Sequence, residues 1–127
     1  ALIRKVVDAR DGGDKYVEVW GSGKANREFL YVEDAARAIV LATYKYDDVE
    51  PVNLGSGKEI SIKEVVSIIC ELSGYRGEIK WNTSKPDGQM RRQLDTSRAK
   101  ERFGFEAEVD FREGLKRAID WYEKKVK

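Results

Sequence analysis

The chain has 127 residues, with 24 basic and 23 acidic side chains and a formal net charge of +1. That balance argues against a dedicated nucleic-acid binder, whose affinity rests on a strong positive field. The absence of histidine and the single cysteine, Cys70, exclude a Ser-His-Asp triad, a Cys-His pair, a His-ligated zinc site and an intrachain disulfide.

An apolar share of 41% suffices for one packed core at this length, so a single domain over 1–127 is expected. No apolar run approaches the roughly 18 residues that span a bilayer, and no signal peptide is evident. A soluble, reducing, cytoplasmic setting is the expectation, with neither membrane nor nucleic acid as a partner.

Leu2, Ile3, Val6 and Val7 recur at helical spacing, and Gly12-Gly13 closes that helix. Opening in mid-rhythm without methionine or N-cap, the chain reads as a piece of a longer protein. Tyr16 to Trp20 alternates like a strand and stops at Gly21-Ser22-Gly23. Glu28 to Val32 reads as a second short strand. Glu33-Asp34 then open an alanine-rich helix to about Lys45, the acids complementing the helix dipole.

Val52-Asn53-Leu54 reads as a short buried strand ended by Gly55-Ser56-Gly57. Ser61 and Glu64 have capping-box spacing, and Ile62, Val65, Val66, Ile69 and Leu72 form one apolar stripe closed by Gly74. Glu78 to Trp81 is a further strand. Asp95-Thr96 can cap a short helix to about Phe103. Asp110 and Glu113 cap the last helix, whose Phe111, Leu115, Ala118, Ile119 and Tyr122 share a face.

The order α-β-β-α-β-α-β-loop-α-α predicts an α/β unit, α+β-like in its few short strands, with about five helices. Such strands cannot make a complete doubly wound sheet. Some are expected to extend a sheet supplied by sequence outside this chain.

The densest chemistry lies in Ser84-Lys85-Pro86-Asp87-Gly88-Gln89-Met90-Arg91-Arg92-Gln93, where three cations surround a Pro-Asp-Gly turn without apolar periodicity. Proline fixes φ and Gly88 permits a positive one, so the loop holds a defined bend. The planar forks of Arg91 and Arg92 match phosphate oxygens. A solvated basic loop is the competing reading.

Trp20-Gly21-Ser22-Gly23-Lys24-Ala25-Asn26-Arg27 places an indole and an arginine either side of a glycine turn. It suits a base or sugar against Trp20 and a phosphate on Arg27, or else a plain connection with a core tryptophan and a surface arginine. Gly55-Ser56-Gly57-Lys58 lacks the phosphate-loop spacing and reads as a tight turn. Cys70 reads as a core or boundary thiol, and Asp47, Asp48 and Glu50 as a solvated loop rather than a metal site. No Tyr-x-x-x-Lys pair and no strand-linked G-x-G-x-x-G occurs, so neither that proton-transfer pair nor a dinucleotide fingerprint is encoded.

Several segments taken together carry a resemblance. Trp20-Gly21-Ser22-Gly23 with Arg27-Glu28-Phe29-Leu30-Tyr31-Val32-Glu33-Asp34, Val52-Asn53-Leu54-Gly55-Ser56-Gly57 and Ile60-Ser61-Ile62-Lys63-Glu64-Val65 resemble, in collinear order, segments of the extended short-chain dehydrogenase/reductases. So do Gly74-Tyr75-Arg76-Gly77, Ser84-Lys85-Pro86-Asp87-Gly88 and Arg91-Arg92-Gln93-Leu94-Asp95-Thr96-Ser97-Arg98. These are the NAD-dependent epimerases and dehydratases.

The resemblance implies a C-terminal, substrate-binding lobe of an epimerase/reductase that lacks most of the Rossmann sheet. NADP or NAD and the catalytic Ser, Tyr and Lys would belong to the other half. This chain would therefore hold no catalytic residue, cofactor or metal and would be inactive alone. Trp20 and Arg27 match positions that contact a nucleotide sugar, and Arg91 and Arg92 a basic pair closing over its diphosphate. Lys85 and Asp87 belong to the same motif, Asp87 stiffening the loop or meeting a ligand hydroxyl.

A GDP-sugar is favoured, with UDP- and dTDP-sugars as alternatives. Met90 stands where the family often has proline, and Arg92 where it often has lysine. A homo-oligomer, the family's usual dimer, is implied as well. A freestanding module that binds nucleotide diphosphates without chemistry is the competing function.

Overall fold

The computed structural model describes residues 1–126. Its elements follow in the order α1 (Leu2–Gly12), β1 (Tyr16–Trp20), β2 (Asn26–Glu28), α2 (Val32–Lys45), β3 (Glu59–Ser61), α3 (Ile62–Ser73), β4 (Glu78–Asn82), α4 (Ser97–Phe103) and α5 (Phe111–Lys125). No helix among the described residues is long and apolar enough to cross a membrane. Five helices and a few short strands make the α/β unit read from the sequence.

Alternation decides the first strand. Val17 and Val19 face inward, so Tyr16, Glu18 and Trp20 must face outward. β1 pairs in parallel with β4, Tyr16 opposite Glu78 and Trp20 opposite Asn82. On the inner face α1, α3 and α5 close a core around Val6, Ala9, Val65, Val66, Ile69, Tyr75 and Ile119. α3 is framed as its sequence demands: the Ser61 hydroxyl accepts from the Glu64 N–H, the Glu64 carboxylate accepts from the Ser61 N–H, and Gly74 ends the helix. Cys70 sits half-buried against this core.

A second cluster gathers Ala38 of α2, Ala99 and Phe103 of α4, and Phe105. Only one side of α2 reaches it. Val32, Ile39, Val40 and Tyr44 stay exposed, at 69%, 59%, 54% and 84%. α2 is thus apolar on both sides, the pattern of a helix lying between two layers.

Three expectations need correction. The second strand is Asn26–Glu28 rather than 28–32: Phe29 leaves the ladder to pack on Phe111, ring centroids 5.6 Å apart, and Val32 already begins α2. Val52-Asn53-Leu54 is not a strand. The third strand is Glu59–Ser61, antiparallel to β2 with Arg27 opposite Ile60. A strand exists only where a neighbour completes its ladder, and among the described residues 52–54 has none. At the start of α5 Asp110 caps the Arg112 N–H, but the Glu113 carboxylate pairs with Arg117 instead.

Asp34 does more than complement a dipole. It is 2% exposed and accepts from the N–H groups of Glu108 and Val109, at 3.1 and 2.9 Å, and from Arg37 at 3.1 Å. Burial pushes its pKa up, yet the two backbone donors and the Arg37 guanidinium outweigh burial and hold it below the usual carboxylate range. Arg37 also donates to the Glu106 carbonyl at 2.5 Å and lies over the Phe105 ring. The start of α2 is thereby fastened to the link between α4 and α5.

A depressed folded-state pKa contributes stability that is complete above the unfolded value, about 3.9, and is lost as pH falls through the folded value. Asp34→Asn is therefore expected to cost about 1.5–3 kcal/mol at pH 7, the worth of hydrogen bonds to a charged group. It should also flatten the loss of stability on acidification. Urea melts of both proteins from pH 7 to pH 2 check this, and parallel pH profiles would refute it.

Candidate functional site

The glycine turn after β1 and the basic loop after β4 leave the same end of the parallel pair, because β1 and β4 run side by side in register. Side chains then lock the two together. The Asp87 carboxylate accepts from the Ser22 N–H and the Ser22 hydroxyl, each at 2.7 Å. The Ser22 hydroxyl, its N–H and the Gly23 N–H hold the Asp87 pKa below the usual carboxylate range. Gly21 has φ +92°, and a Cβ there would collide with the Asp87 carboxylate. Gly88, φ +73°, completes the bend expected of Pro-Asp-Gly.

Arg27 ties itself to the loop through its guanidinium. It donates to the Gln89 carbonyl at 2.6 Å, the Asp87 carbonyl at 3.3 Å and its neighbour Asn26 at 2.7 Å. The Asn26 N–H donates to the Met90 carbonyl at 2.8 Å. Three of the five N–H donors of Arg27 are thereby committed to carbonyls, which leave its charge uncompensated.

Trp20 is 62% exposed, so it is not a core tryptophan. The ammonium groups of Lys85 and Lys5 lie 5.2 and 5.8 Å from its ring centroid. Arg91 donates to Glu59 at 2.8 Å and to Gln93 at 2.9 Å, and the Glu59 carboxylate raises its pKa. Arg92 is exposed and makes no hydrogen bond or ion pair among the described residues. Trp20, Arg27, Lys85, Asp87 and Arg91 are linked in one surface, with Arg92 beside Arg91 in the chain. Among the described residues no group of His, Cys, Asp or Glu could hold a metal ion.

Two residues of this surface are not among the candidates read from the sequence. Glu28 accepts from the N–H groups of Gly57 and Leu94, at 3.2 and 3.1 Å, and so ties the 55–57 turn to the far end of the basic loop. Glu59 neutralises Arg91. Their only sequence signal is an acid flanking short strands on a chain with many acids. An apolar hollow of about 480 Å³ between Phe29, Tyr31, Ile60, Phe111 and Leu115 also lies nearby, lined by none of the sequence-predicted residues.

Residues 1–55 match the family model described as "NAD dependent epimerase/dehydratase family". The chain is 40% identical over 126 residues to GDP-L-fucose synthase 1 of Arabidopsis thaliana, covering 99% of this chain and 39% of that protein. A GDP-L-fucose synthetase from Naegleria fowleri, solved bound to NADP, superposes with TM-score 0.91 at 29% identity, over 98% of this chain and 39% of the other. UDP-glucose 4-epimerase from Thermotoga maritima, solved with UDP-glucose, gives TM-score 0.84 at 29% identity, over 100% of this chain and 40% of the other. The chain spans about two fifths of the length of the relatives it matches.

The Asp87–Ser22 clamp can be tested without any ligand. Asp87→Ala is expected to speed hydrogen exchange across residues 84–93 while leaving the thermal midpoint nearly unchanged, since the clamp lies outside both cores. Gly21→Ala should release the same segment and also cost about 1 kcal/mol or more, for a Cβ at positive φ. Exchange unchanged in both variants would dismiss the clamp.

Proposed function

The chain belongs to the NAD dependent epimerase/dehydratase family, and from that premise we propose that it is the nucleotide-sugar-binding lobe of an NAD(P)-dependent epimerase/reductase nearest the GDP-L-fucose synthases. The observation that carries this reading is the gathering of an exposed indole and several cations on one clamped turn and loop. A diphosphate is drawn first to donors whose charge is not already spent, and Arg91, paired with Glu59, joins them as a further ligand. Arg27 offers its Nε and one Nη2 hydrogen with its charge intact, and Lys85 and Arg92 have no carboxylate partner among the described residues. Trp20 supplies a flat apolar wall for a base or sugar.

The work of such a lobe is binding and orientation. Grip on the remote nucleotide fixes where the sugar ring sits, and that converts binding energy into rate. A nicotinamide cofactor would supply the hydride. With neither a G-x-G-x-x-G turn nor a Tyr-x-x-x-Lys pair, the residues of this chain do not fit a dinucleotide cradle, and its own part ends at holding the substrate. The two-sided apolar helix α2 supports a divided enzyme over a freestanding module, since a freestanding module gains nothing from that exposed face.

In the protein at its full encoded length, Arg27→Ala is expected to weaken GDP binding about 10- to 100-fold, the equivalent of a hydrogen bond to a charged group. Arg92→Ala and Lys85→Ala should weaken it less, with a shallower dependence on salt. Titration calorimetry with GDP, and with UDP as the comparison, checks both affinity and base preference. The 127-residue chain alone should not oxidise NADPH with GDP-4-keto-6-deoxymannose; turnover by it would overturn the lobe reading.

A further inference from the structure

Arg27 and Arg91 belong to the same clamped surface but differ in their partners. Arg27 is held by carbonyl oxygens, whereas Arg91 is held by a carboxylate. Glu59 is the more buried of that pair: its side chain is 21% exposed against 70% for Arg91. β3 fixes the position of Glu59 through its pairing with Glu28, and the Glu59 carboxylate has no other hydrogen-bond or ion-pair partner among the described residues. Arg91, the more exposed partner, has the greater freedom to turn away.

We infer that Glu59 is a built-in competitor for Arg91, a carboxylate that occupies the guanidinium until a diphosphate displaces it and so sets the affinity of the site. The inference rests on the reading of Arg91 as a diphosphate ligand. A phosphate taken on the Nε–Nη2 edge of Arg91 breaks the 2.8 Å contact to Glu59 and the 2.9 Å contact to Gln93. It leaves a half-buried carboxylate unpaired beneath a dianionic group. Both effects lower affinity, and both act through the same residue. Binding then exchanges one anion for another on Arg91, and the resident carboxylate lowers the affinity for the second.

The test is a double-mutant cycle in the protein at its full encoded length, with GDP as the titrant at low salt. Glu59→Gln keeps the shape and an acceptor oxygen but removes the charge. It is expected to tighten GDP binding about two- to fivefold, the worth of one exposed ion pair expressed as affinity. Arg91→Ala should weaken binding, and Glu59→Gln added to Arg91→Ala should give a clearly smaller gain, that of the carboxylate's field alone.

Unchanged GDP affinity in Arg91→Ala would overturn the assignment of Arg91 itself. Weaker binding in Arg91→Ala together with weaker or equal binding in Glu59→Gln would overturn the competitor role and leave Arg91 as a ligand positioned by Glu59. An equal gain from Glu59→Gln with and without Arg91 would also overturn it, because the carboxylate would then act only through its general field. Thermal melts of each variant verify that it is folded before titration.

Discussion

The Asp87 carboxylate is the constraint on which the site depends. It takes both donors of Ser22, a backbone N–H and a hydroxyl, and thereby joins a turn after β1 to a loop 65 residues later. A loop rich in cations repels itself and prefers solvent, so it needs an anchor that costs little positive charge. Asp87 supplies one by bonding to neutral donors, which leaves the neighbouring guanidinium groups free of it. Gly21 belongs to the same constraint, since any side chain there would occupy the space of that carboxylate.

The same device recurs. Asp34 receives two backbone N–H groups from the link before α5, and Glu28 receives one from each of two separate turns. In each case an acid near a strand or helix end satisfies backbone donors that no ladder or helix reaches. A buried N–H without a partner is costly, and a carboxylate is the strongest acceptor for it. The even balance of 24 basic and 23 acidic residues is therefore more than a solvated surface. Several of the acids are internal fastenings, while surface pairs such as Lys116–Asp120 contribute little.

Legibility follows the range of the interaction. The capping box at Ser61 and Glu64, the glycines that close α1 and α3, and the alternation of β1 are local, and the sequence displays them directly. Strand 59–61 could not be read that way. Glu59-Ile60-Ser61 resembles the prelude to a helix, and only its pairing with residues 26–28 makes it a strand. Conversely, Val52-Asn53-Leu54 has strand composition without a neighbour. Asp34 looked like an ordinary first-turn acid because its backbone partners lie 74 and 75 residues away. At the site, residue type marked Trp20, Arg27 and the basic loop as candidates, but nothing local distinguished the partner of one arginine from that of another.

That distinction is what the fold adds to the chemistry. A guanidinium bonded to carbonyls keeps its full charge and gains a fixed direction, whereas one bonded to a carboxylate gains direction and loses field. Arg27 is of the first kind and Arg91 of the second. In the proposed site they would divide the task of holding an anion, Arg27 attracting it throughout and Arg91 only after giving up a resident carboxylate. A site made wholly of the first kind would hold no such competitor. Turnover in any enzyme built on such a lobe requires release, and under the proposed competition Glu59 would lower the affinity that release has to overcome.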